Sequence, residues 1–536
     1  MDTNSEIVYS YHDRTKHRYD RYALGPPFMD WSNQPNPFRF FRGSKLLRLP
    51  FTTINDFSYA DVFSCQAIET QNSDVQTLGF IFELSMGLSG WKSIESSSWS
   101  LRMNPSSGNL HPCEIYLILN NLEEDDETKL YHYTPFWHGL ESIGTIASSE
   151  SKVVDNNSYM IMSSIFWREA WKYGERAFRY CQLDMGHSIA AVSISAKMMG
   201  YDLKRDYNYS QKVAHDLLKI DQSNRHDLER EDLELGAWLV PSKDDFVANK
   251  GYLSNLEVKD IHLDVNQLSR DHRKWSAIEQ VADATLAIPK SSPKPDDISY
   301  SREKNPKDYN AIQLIRQRRS AASYDGVTSI SLTEFKCMLS QTLYQKNVAP
   351  FDFFDGPPKV HFLIFVHRVI GLDSGLYIFV RNHSHLSELK NSLNPKFEWQ
   401  QIEDASIPLY LLQKGDYKLQ AESISCGQSI ASDSAFSLGM LSRFDKEVSL
   451  NPSSYKDLYW ECGALGQLLY LEAERFEVRA TGIGCFFDDE CHRLAGIKDK
   501  SFQSLYHFTI GGPVNDMRFT SLSAYHHLTN EAYLNV

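Results

Sequence analysis

The feature that most constrains the fold of this chain is a weak internal repeat on either side of a segment rich in Pro, Ser and Lys. That segment, residues 282–310, has the composition of an extended connector. Three short patterns recur across it in the same order: residues 116–119 resemble 362–365, residues 130–131 resemble 376–377, and residues 181–187 resemble 461–467. An ordered repeat predicts two similar units. We therefore expect an N-terminal domain of residues 1–281 and a C-terminal domain of residues 311–536.

Length and composition agree with two globular domains. The 536 residues exceed one hydrophobic core, and 42% hydrophobic with 23% charged residues is ordinary for a folded protein. The net charge of −14 argues against a nucleic acid or an anionic membrane surface as a partner. Residues 1–20 lack the apolar core of a secretion signal, and no stretch approaches the roughly 20 apolar residues of a membrane span. We expect a cytoplasmic protein, with organelle targeting left open.

The eight cysteines are scattered along the chain. None forms a C-x-x-C pair, and none has a spacing to histidine that suits zinc. We expect reduced, mostly buried thiols and no metal site, and the spacing of Cys485 and Cys491 does not suit a redox pair.

Local patterns predict the α+β class. Val75, Leu78 and Phe82 keep near-helical spacing, as do residues 465, 469, 473 and 476. Ser331 and Glu334 have the form of a capping box, which predicts a helix start. Few apolar runs look like strands, the clearest being 360–366, so we expect helices around a small sheet in each domain.

The first motif that could carry chemistry is the loop of residues 105–112. Pro105 restricts one φ angle, Gly108 permits a positive one, and Ser106, Ser107 and Asn109 supply short donors and acceptors. Such a loop can surround a flat, polar ligand. An ordinary turn before a strand explains the same composition.

The second motif, Arg318-Arg319-Ser320, closes a helix-like segment in the other half. Two guanidinium groups and a hydroxyl offer the donors that a phosphate needs. A solvated helix end explains them equally well.

The third motif, Gly482-Ile483-Gly484, would let the backbone pass close to a ligand. It lacks the third glycine of a dinucleotide-binding fingerprint. A plain turn is the alternative.

Together with their flanks, these segments resemble the nitroreductase superfamily of flavin mononucleotide (FMN) enzymes, and in particular its SagB-type dehydrogenase branch in tandem form. The resemblance rests on R-R-S at 318–320, P-S-S-G-N-L-H-P at 105–112, T-G-I-G-C-F-F-D-D at 481–489 and G-G-P-V-N-D-M-R at 511–518. It covers nearly the whole chain. It implies two nitroreductase-like domains, each with helices around a small, mainly antiparallel sheet, which form an intramolecular pseudo-dimer. Whether the chain is a monomer stays open.

The resemblance also implies a role for each motif. By analogy, Arg318, Ser320 and Arg518 would hold the FMN phosphate, and Arg319 would lie near the pyrimidine edge or the ribityl chain. A set from the opposite domain would lie against the flavin: Pro105, Ser106, Ser107 and Asn109. Ile483, Gly484 and Cys485 would pass the ring near its N5 atom, where the backbone of Gly484 and Cys485 could support hydride transfer.

The motifs are not repeated in the other half, which predicts one FMN per chain. Where a second loop should precede a strand, residues 354–359 read F-D-G-P-P-K, without the serines or the asparagine. The first half offers residues 201–204, Y-D-L-K, where the second offers residues 482–485, G-I-G-C. In addition, Ala322 stands where many members of the resembled family carry a basic residue. Either phosphate binding is weaker here, or Arg316 or Lys16 supplies the missing charge.

The implied activity is that of an oxidoreductase in which the flavin carries the chemistry, so no side-chain nucleophile is required. The expected partners are a small organic acceptor and NAD(P)H as donor. One alternative is an azoline dehydrogenase that oxidises thiazoline or oxazoline rings in modified peptides. Another is a flavin-free scaffold or binding protein.

Overall fold

The structure of the chain is a computed structural model. It describes residues 2–66, 68–95, 97–120, 122, 127–148, 158–224, 227–243, 246, 249–290, 302, 307–354, 356–402 and 407–529. Much of the predicted linker, residues 291–301 and 303–306, lies outside this set.

The helices within the described residues are distributed over both halves of the chain. They are α1 (Thr3–Arg14), α2 (Tyr59–Val62), α3 (Val75–Ser85), α4 (Phe166–Tyr173), α5 (Ala177–Met198), α6 (Gln211–Leu218), α7 (Ser276–Ala284), α8 (Ala311–Gln317), α9 (Leu332–Gln341), α10 (Leu386–Ser392), α11 (Lys418–Ile424), α12 (Asp445–Leu450), α13 (Ser454–Arg475) and α14 (Asp488–Ala495). Helix α7 continues through position 281, where the N-terminal domain was expected to end. The domain boundaries stay a prediction. Helix α9 begins at the predicted capping box, in which the Ser331 hydroxyl accepts from the Glu334 N–H.

The strands fall into two equivalent sets and a few short pairs. They are β1 (Lys45–Arg48), β2 (Leu88–Ile94), β3 (Ser97–Arg102), β4 (Cys113–Asn120), β5 (Thr128–Thr134), β6 (Gly139–Ser148), β7 (Ser158–Ile165), β8 (Tyr201–Arg205), β9 (Glu231–Pro241), β10 (Leu256–Lys259), β11 (Ile330–Ser331), β12 (Val360–Val366), β13 (Val369–Ile370), β14 (Gly375–Phe379), β15 (Gln400–Gln401), β16 (Leu409–Lys414), β17 (Phe436–Arg443), β18 (Arg479–Ile483), β19 (Phe502–Gly511) and β20 (Thr520–Leu522).

Each half contains one large antiparallel sheet. Six strands follow the same order in both sheets, whereas the edge strands β1 and β15 come from different points of the chain. The first runs β1-β6-β5-β4-β7-β9-β8, and the second runs β15-β16-β14-β12-β17-β19-β18. The pairs β4–β7 and β12–β17 occupy the same central place, as do β8 and β18 at one edge. The tandem α+β architecture is confirmed, with more strand than the few apolar runs indicate.

The registers correct one of the sequence matches by a single residue. Both sheets carry an irregularity at the same place, between Leu130 and Tyr131 and between Leu376 and Tyr377. Leu130 pairs with Ile118, whereas Leu376 pairs with Phe365. The runs 116–119 and 362–365 are therefore offset by one position, and a one-residue shift in a strand exchanges the two faces of the sheet. The sequence does not reveal this offset, because both runs are apolar at every position and look alike in either alignment.

The long helices α5 and α13 cross at two glycines. Each helix has 22 residues, and Gly186 and Gly463 hold the same position in them. A Cβ on Gly186 would lie 2.3 Å from the Trp460 carbonyl oxygen, and one on Gly463 would lie 2.1 Å from the Leu183 carbonyl oxygen. The predicted match of residues 181–187 with 461–467 is thus wrong by three residues. Three residues are close to one helical turn, so the apolar pattern looks similar in both alignments.

The two halves also exchange segments. Helix α1 contacts the second half, where the Tyr9 hydroxyl donates to the Asp445 carboxylate at 2.7 Å. Strand β20, near the C-terminus, pairs with β2 of the first half. The largest hydrophobic core accordingly includes residues from both halves, from Val8 to Ile510.

Candidate functional site

The R-R-S motif of the second half contacts the first half directly. Helix α8 ends at Gln317, and the next residue, Arg318, is buried. Its Nε donates to the carbonyl oxygen of Met103 at 3.1 Å, and its Nη2 donates to that of Arg102 at 3.2 Å. Pro105 follows two residues after Met103. The two motifs therefore lie at the same seam between the halves.

The loop of residues 105–109 is held by a carboxylate on α5. The Ser106 hydroxyl donates to Asp184 at 2.6 Å, while the backbone N–H and the hydroxyl of Ser107 each donate to Asp184 at 3.0 Å. Asn109 has a φ of 60° and donates to the Ser100 carbonyl oxygen. This role of Asp184 was not predicted from the sequence. No local spacing signals it, because the acceptor lies 77 residues after Ser107.

Asp184 belongs to a buried pair of carboxyl groups beneath this loop. Burial raises the pKa of Asp184 to about 7, against the hydrogen bonds from Ser106 and Ser107. Burial and the neighbouring Asp184 raise the pKa of Glu169 well above its usual range. A proton held by this pair near neutral pH would relieve the repulsion between the two groups.

The segment after α13 joins the R-R-S motif through Tyr470. Its hydroxyl accepts from the Gly482 N–H at 3.0 Å and lies 2.9 Å from the Ser320 hydroxyl. Thr481 donates to the Ala321 carbonyl oxygen at 2.7 Å. The motifs at 318–320 and 482–484 are thus adjacent. Ser320 itself is exposed to solvent.

The end of this segment packs against α5. Ile483 is buried, whereas Gly484 and Cys485 are half-buried. A Cβ on Gly484 would lie 1.9 Å from Cε1 of Tyr180, so only glycine fits there. Arg176 donates to the Gly484 carbonyl oxygen at 3.0 Å. The backbone at 484–485 therefore has one fixed position at the seam.

A cluster of positive charge surrounds the R-R-S motif. Arg319 donates through its guanidinium to the carbonyl oxygens of residues 89, 316 and 318. Burial, with Arg318 and Arg479 nearby, lowers the pKa of Arg319 to about 10. Burial lowers the pKa of Arg318 as well. Burial, Arg319 and Arg479 likewise lower the pKa of Lys92.

Negative charge in this cluster comes chiefly from Glu474. Its carboxylate accepts from the Arg319 backbone N–H at 3.0 Å and lies 3.6 Å from Nε of Arg479. Within the described part of the chain, no carboxylate forms an ion pair with Arg318, Arg319 or Lys92. Arg318 is buried, Lys92 and Arg319 are half-buried, and cations shielded from water without such a partner favour an anionic ligand. The residues present therefore fit a phosphate group.

Arg518 does not take part in the hydrogen bonds of this cluster. Its guanidinium donates to Asp516 at 2.9 and 2.6 Å, and 76% of its side chain is exposed. The two proposed substitutes have partners of their own, because Arg316 pairs with Glu83 and Lys16 pairs with Asp489. Lys92 and Arg479 are the cations that sequence analysis missed here. They come from β2 and β18, which only the tertiary structure brings together.

The opposite side of the pseudo-dimer contains a cavity of about 200 Å³. Its position mirrors the seam just described, since Glu461 holds the place in α13 that Asp184 holds in α5, and Arg205 ends β8 as Ile483 ends β18. Its walls include Arg205, Lys290, Phe354, Lys359, Arg381 and Glu461. Arg205 and Lys290 pair with Asp457 at 2.8 and 2.6 Å, and Arg381 pairs with Glu461 at 2.6 Å. The cations of the mirrored cavity are therefore neutralised by the protein itself.

Two further observations concern ions and membranes. Across the described ranges, no group of three or more His, Cys, Asp or Glu side chains could hold a metal ion. Nor does any helix in those ranges have the length and apolar character needed to cross a bilayer.

Comparison with known proteins agrees with the fold. No protein-family model matches the chain. A crystal structure from Anabaena variabilis, provisionally described as a nitroreductase, aligns over 95% of this chain and 99% of its own, with 21% identity and a TM-score of 0.68. The trifolitoxin-processing protein TfxB of Rhizobium leguminosarum bv. trifolii is 28% identical over 131 residues, and the match covers 22% of this chain and 35% of that relative. This chain thus spans about a third of the length of TfxB.

The alignment with the Anabaena protein includes both halves of the chain, and six strands of each large sheet repeat one order. The chain therefore has the nitroreductase-like fold in its tandem form, with both units of the pseudo-dimer in one polypeptide.

Proposed function

We propose that the chain is an FMN-dependent oxidoreductase with one flavin site at the seam. The observation that carries this proposal is the cluster of Lys92, Arg318 and Arg319 beside the exposed Ser320. Among the described residues, no carboxylate forms an ion pair with these three side chains. The FMN phosphate would be bound by Arg319, Ser320 and Lys92. Arg518 would have to leave Asp516 in order to take part.

The remaining predicted residues would orient the ring. Ser106, Ser107 and Asn109, fixed by Asp184 and Ser100, would face it from the first half. The backbone of Gly484 and Cys485, fixed by Tyr180 and Arg176, would lie along its other side. A bound flavin would supply two-electron chemistry, and the protein groups would bind and orient it.

The expected donor is NAD(P)H, and the expected acceptor is a small organic molecule. Anaerobic addition of NADH or NADPH to flavin-loaded protein should bleach the flavin absorbance within seconds. Absence of bleaching with both would reject the nicotinamide donor, and it would favour a dehydrogenase that oxidises its own substrate.

Flavin content tests the site itself. Protein purified and then denatured should release FMN at a ratio close to one per chain. Arg319→Ala should lower the affinity for FMN about tenfold or more, since charge-assisted hydrogen bonds to phosphate are lost. Lys290→Gln, in the mirrored cavity, is the matched control and should leave the affinity unchanged.

Each other result would contradict a specific claim. A ratio near two would reject the single site, because the mirrored cavity would then hold flavin as well. Colourless protein that cannot be reconstituted with FMN would reject the oxidoreductase and favour the scaffold.

A second candidate function is oxidation of azoline rings during peptide modification. The similarity to a trifolitoxin-processing protein favours it. Flavin-loaded protein incubated with a thiazoline-containing peptide should then yield a product 2 Da lighter. Unchanged peptide mass together with rapid reoxidation by quinones or nitroaromatics would favour the small-molecule reductase.

A further inference from the structure

Two cysteines from distant parts of the sequence lie in contact beside the seam. The Sγ atoms of Cys426 and Cys485 are 2.9 Å apart, and both residues are half-buried free thiols. Cys485 follows β18, and Cys426 follows α11 with a φ of 56°. The sulfur atoms of a disulfide are about 2.05 Å apart, so bond formation requires a movement of about 1 Å.

The surrounding backbone holds the two cysteines in place. Gln428 donates to the Cys485 carbonyl oxygen at 3.1 Å. The Phe487 N–H donates to the Ile424 carbonyl oxygen at 2.7 Å, which ties the end of α11 to the segment that carries Cys485. Hydrogen bonds that do not involve the thiols therefore hold the two cysteines next to each other.

The environment distinguishes the two thiols. The Ala23 N–H donates to Nδ1 of His17 at 3.0 Å, which leaves the neutral ring's proton on Nε2. The Cys426 thiol, His17 and Arg176 hold the pKa of Cys485 below its usual range, while the hydrogen bond to Cys485 and burial raise that of Cys426. Further titratable groups near the pair are Tyr22, Tyr173, Tyr180 and Asp488. Cys485 is thus the nucleophile of the pair, because the thiolate is the reactive form.

We propose that Cys426 and Cys485 form a redox-active dithiol that closes reversibly to a disulfide, with a hydroperoxide as oxidant. The Cys485 thiolate attacks one peroxide oxygen, and the other oxygen leaves as an alcohol or as water. The Cys426 sulfur then displaces hydroxide from the sulfenic acid on Cys485, and the S–S bond forms as water departs. The two thiols lose two electrons and two protons, and the hydroperoxide gains them.

The proposal goes beyond the flavin site, and it does not require a bound flavin. Closure would fix Cys485, a residue of the segment expected beside the flavin, to the end of α11. The sequence alone does not reveal the pair, because the two cysteines are 59 residues apart.

Thiol counting with hydrogen peroxide tests the proposal. Reduced protein has eight thiols, and brief peroxide treatment should remove two of them, which dithiothreitol should restore. Peptide mapping should then join residues 426 and 485. Retention of all eight thiols, or a disulfide between other cysteines, would overturn the proposal.

Variants assign the roles. In Cys426→Ser, oxidation should stop at a sulfenic acid on Cys485 that dimedone traps. In Cys485→Ser, the thiol of Cys426 should not be lost. Cys65→Ser, at an exposed cysteine, should behave as the unmodified protein. His17→Gln should slow carbamidomethylation of Cys485 at pH 6 without changing that of Cys65. Equal dimedone labelling of Cys65 and Cys485 would contradict the nucleophile assignment. Flavin content measured on the same samples keeps this result separate from the proposed oxidoreductase.

Discussion

Ser107 donates both its backbone N–H and its hydroxyl to the carboxylate of Asp184, each at 3.0 Å. This contact ties the loop of residues 105–109 to α5, and α5 crosses α13 of the other half. The loop that sequence analysis places against a flavin is therefore connected to the helix pair at the centre of the pseudo-dimer.

The first prediction concerns pH. The folded-state pKa of Asp184, about 7, exceeds the ordinary value of 3.8, so the folded state holds a proton that the unfolded state has lost. The contribution of this proton to stability is complete below about pH 4 and is lost as the pH rises through 7. The unmodified protein should thus lose thermal stability between about pH 4 and 7, and Asp184→Asn should show a flatter dependence over that range. Equal slopes for both proteins would contradict the assignment. Because Asn retains only one acceptor oxygen, the slope is the informative measurement, and the absolute Tm is not.

The second prediction concerns the crossing of α5 and α13. Gly186→Ala should destabilise the protein by about 1–3 kcal/mol or more, since the new methyl group meets a backbone carbonyl that no rotamer change can move. Gly25→Ala is the matched control, because nothing lies within 4 Å of its Cβ position. It should change stability by less than about 0.5 kcal/mol in the same thermal or urea unfolding experiment. Similar effects of the two substitutions would mean that the helices do not approach as closely as described.

The third prediction separates binding from stability at the seam. Burial and two nearby guanidinium groups disfavour the charge on Lys92, so Lys92→Gln should slightly raise the Tm of the flavin-free protein. The same change should weaken FMN binding about tenfold. Lys212→Gln, at an exposed position on α6, is the control and should alter neither quantity. A lower Tm in Lys92→Gln would contradict the prediction, because it would mean that the charge of Lys92 stabilises the flavin-free protein.

The fourth prediction concerns Tyr470. Tyr470→Phe removes the acceptor of the Gly482 N–H and the partner of the Ser320 hydroxyl, which should cost about 1–2 kcal/mol of stability. FMN content should fall as well, because both segments belong to the proposed site. Tyr417→Phe, at a half-buried tyrosine in the same half, serves as the comparison. Full flavin content in Tyr470→Phe would show that this hydroxyl does not position the site.

Local signals in the sequence predicted the structure best. The capping box at Ser331 and Glu334 and the strand at 360–366 appear as predicted, because they depend on neighbouring backbone groups and on a continuous apolar run. The residue-by-residue match between the two halves was predicted less well. An apolar strand or helix keeps its sequence pattern when the alignment shifts by a few residues. The structure allows no such shift, because Leu376 pairs with Phe365 and Gly186 contacts Gly463.

The sequence by itself determined that the chain contains two related α+β units with single copies of the R-R-S and P-S-S-G-N motifs, since composition, repeats and motifs are properties of residue order. Only the tertiary structure decided which charges and thiols meet. Lys92 lies with Arg319, Asp184 lies beneath Ser107, and Cys426 touches Cys485. The physical reason is that these contacts join side chains tens to hundreds of residues apart, and strand register and helix crossing set their distances.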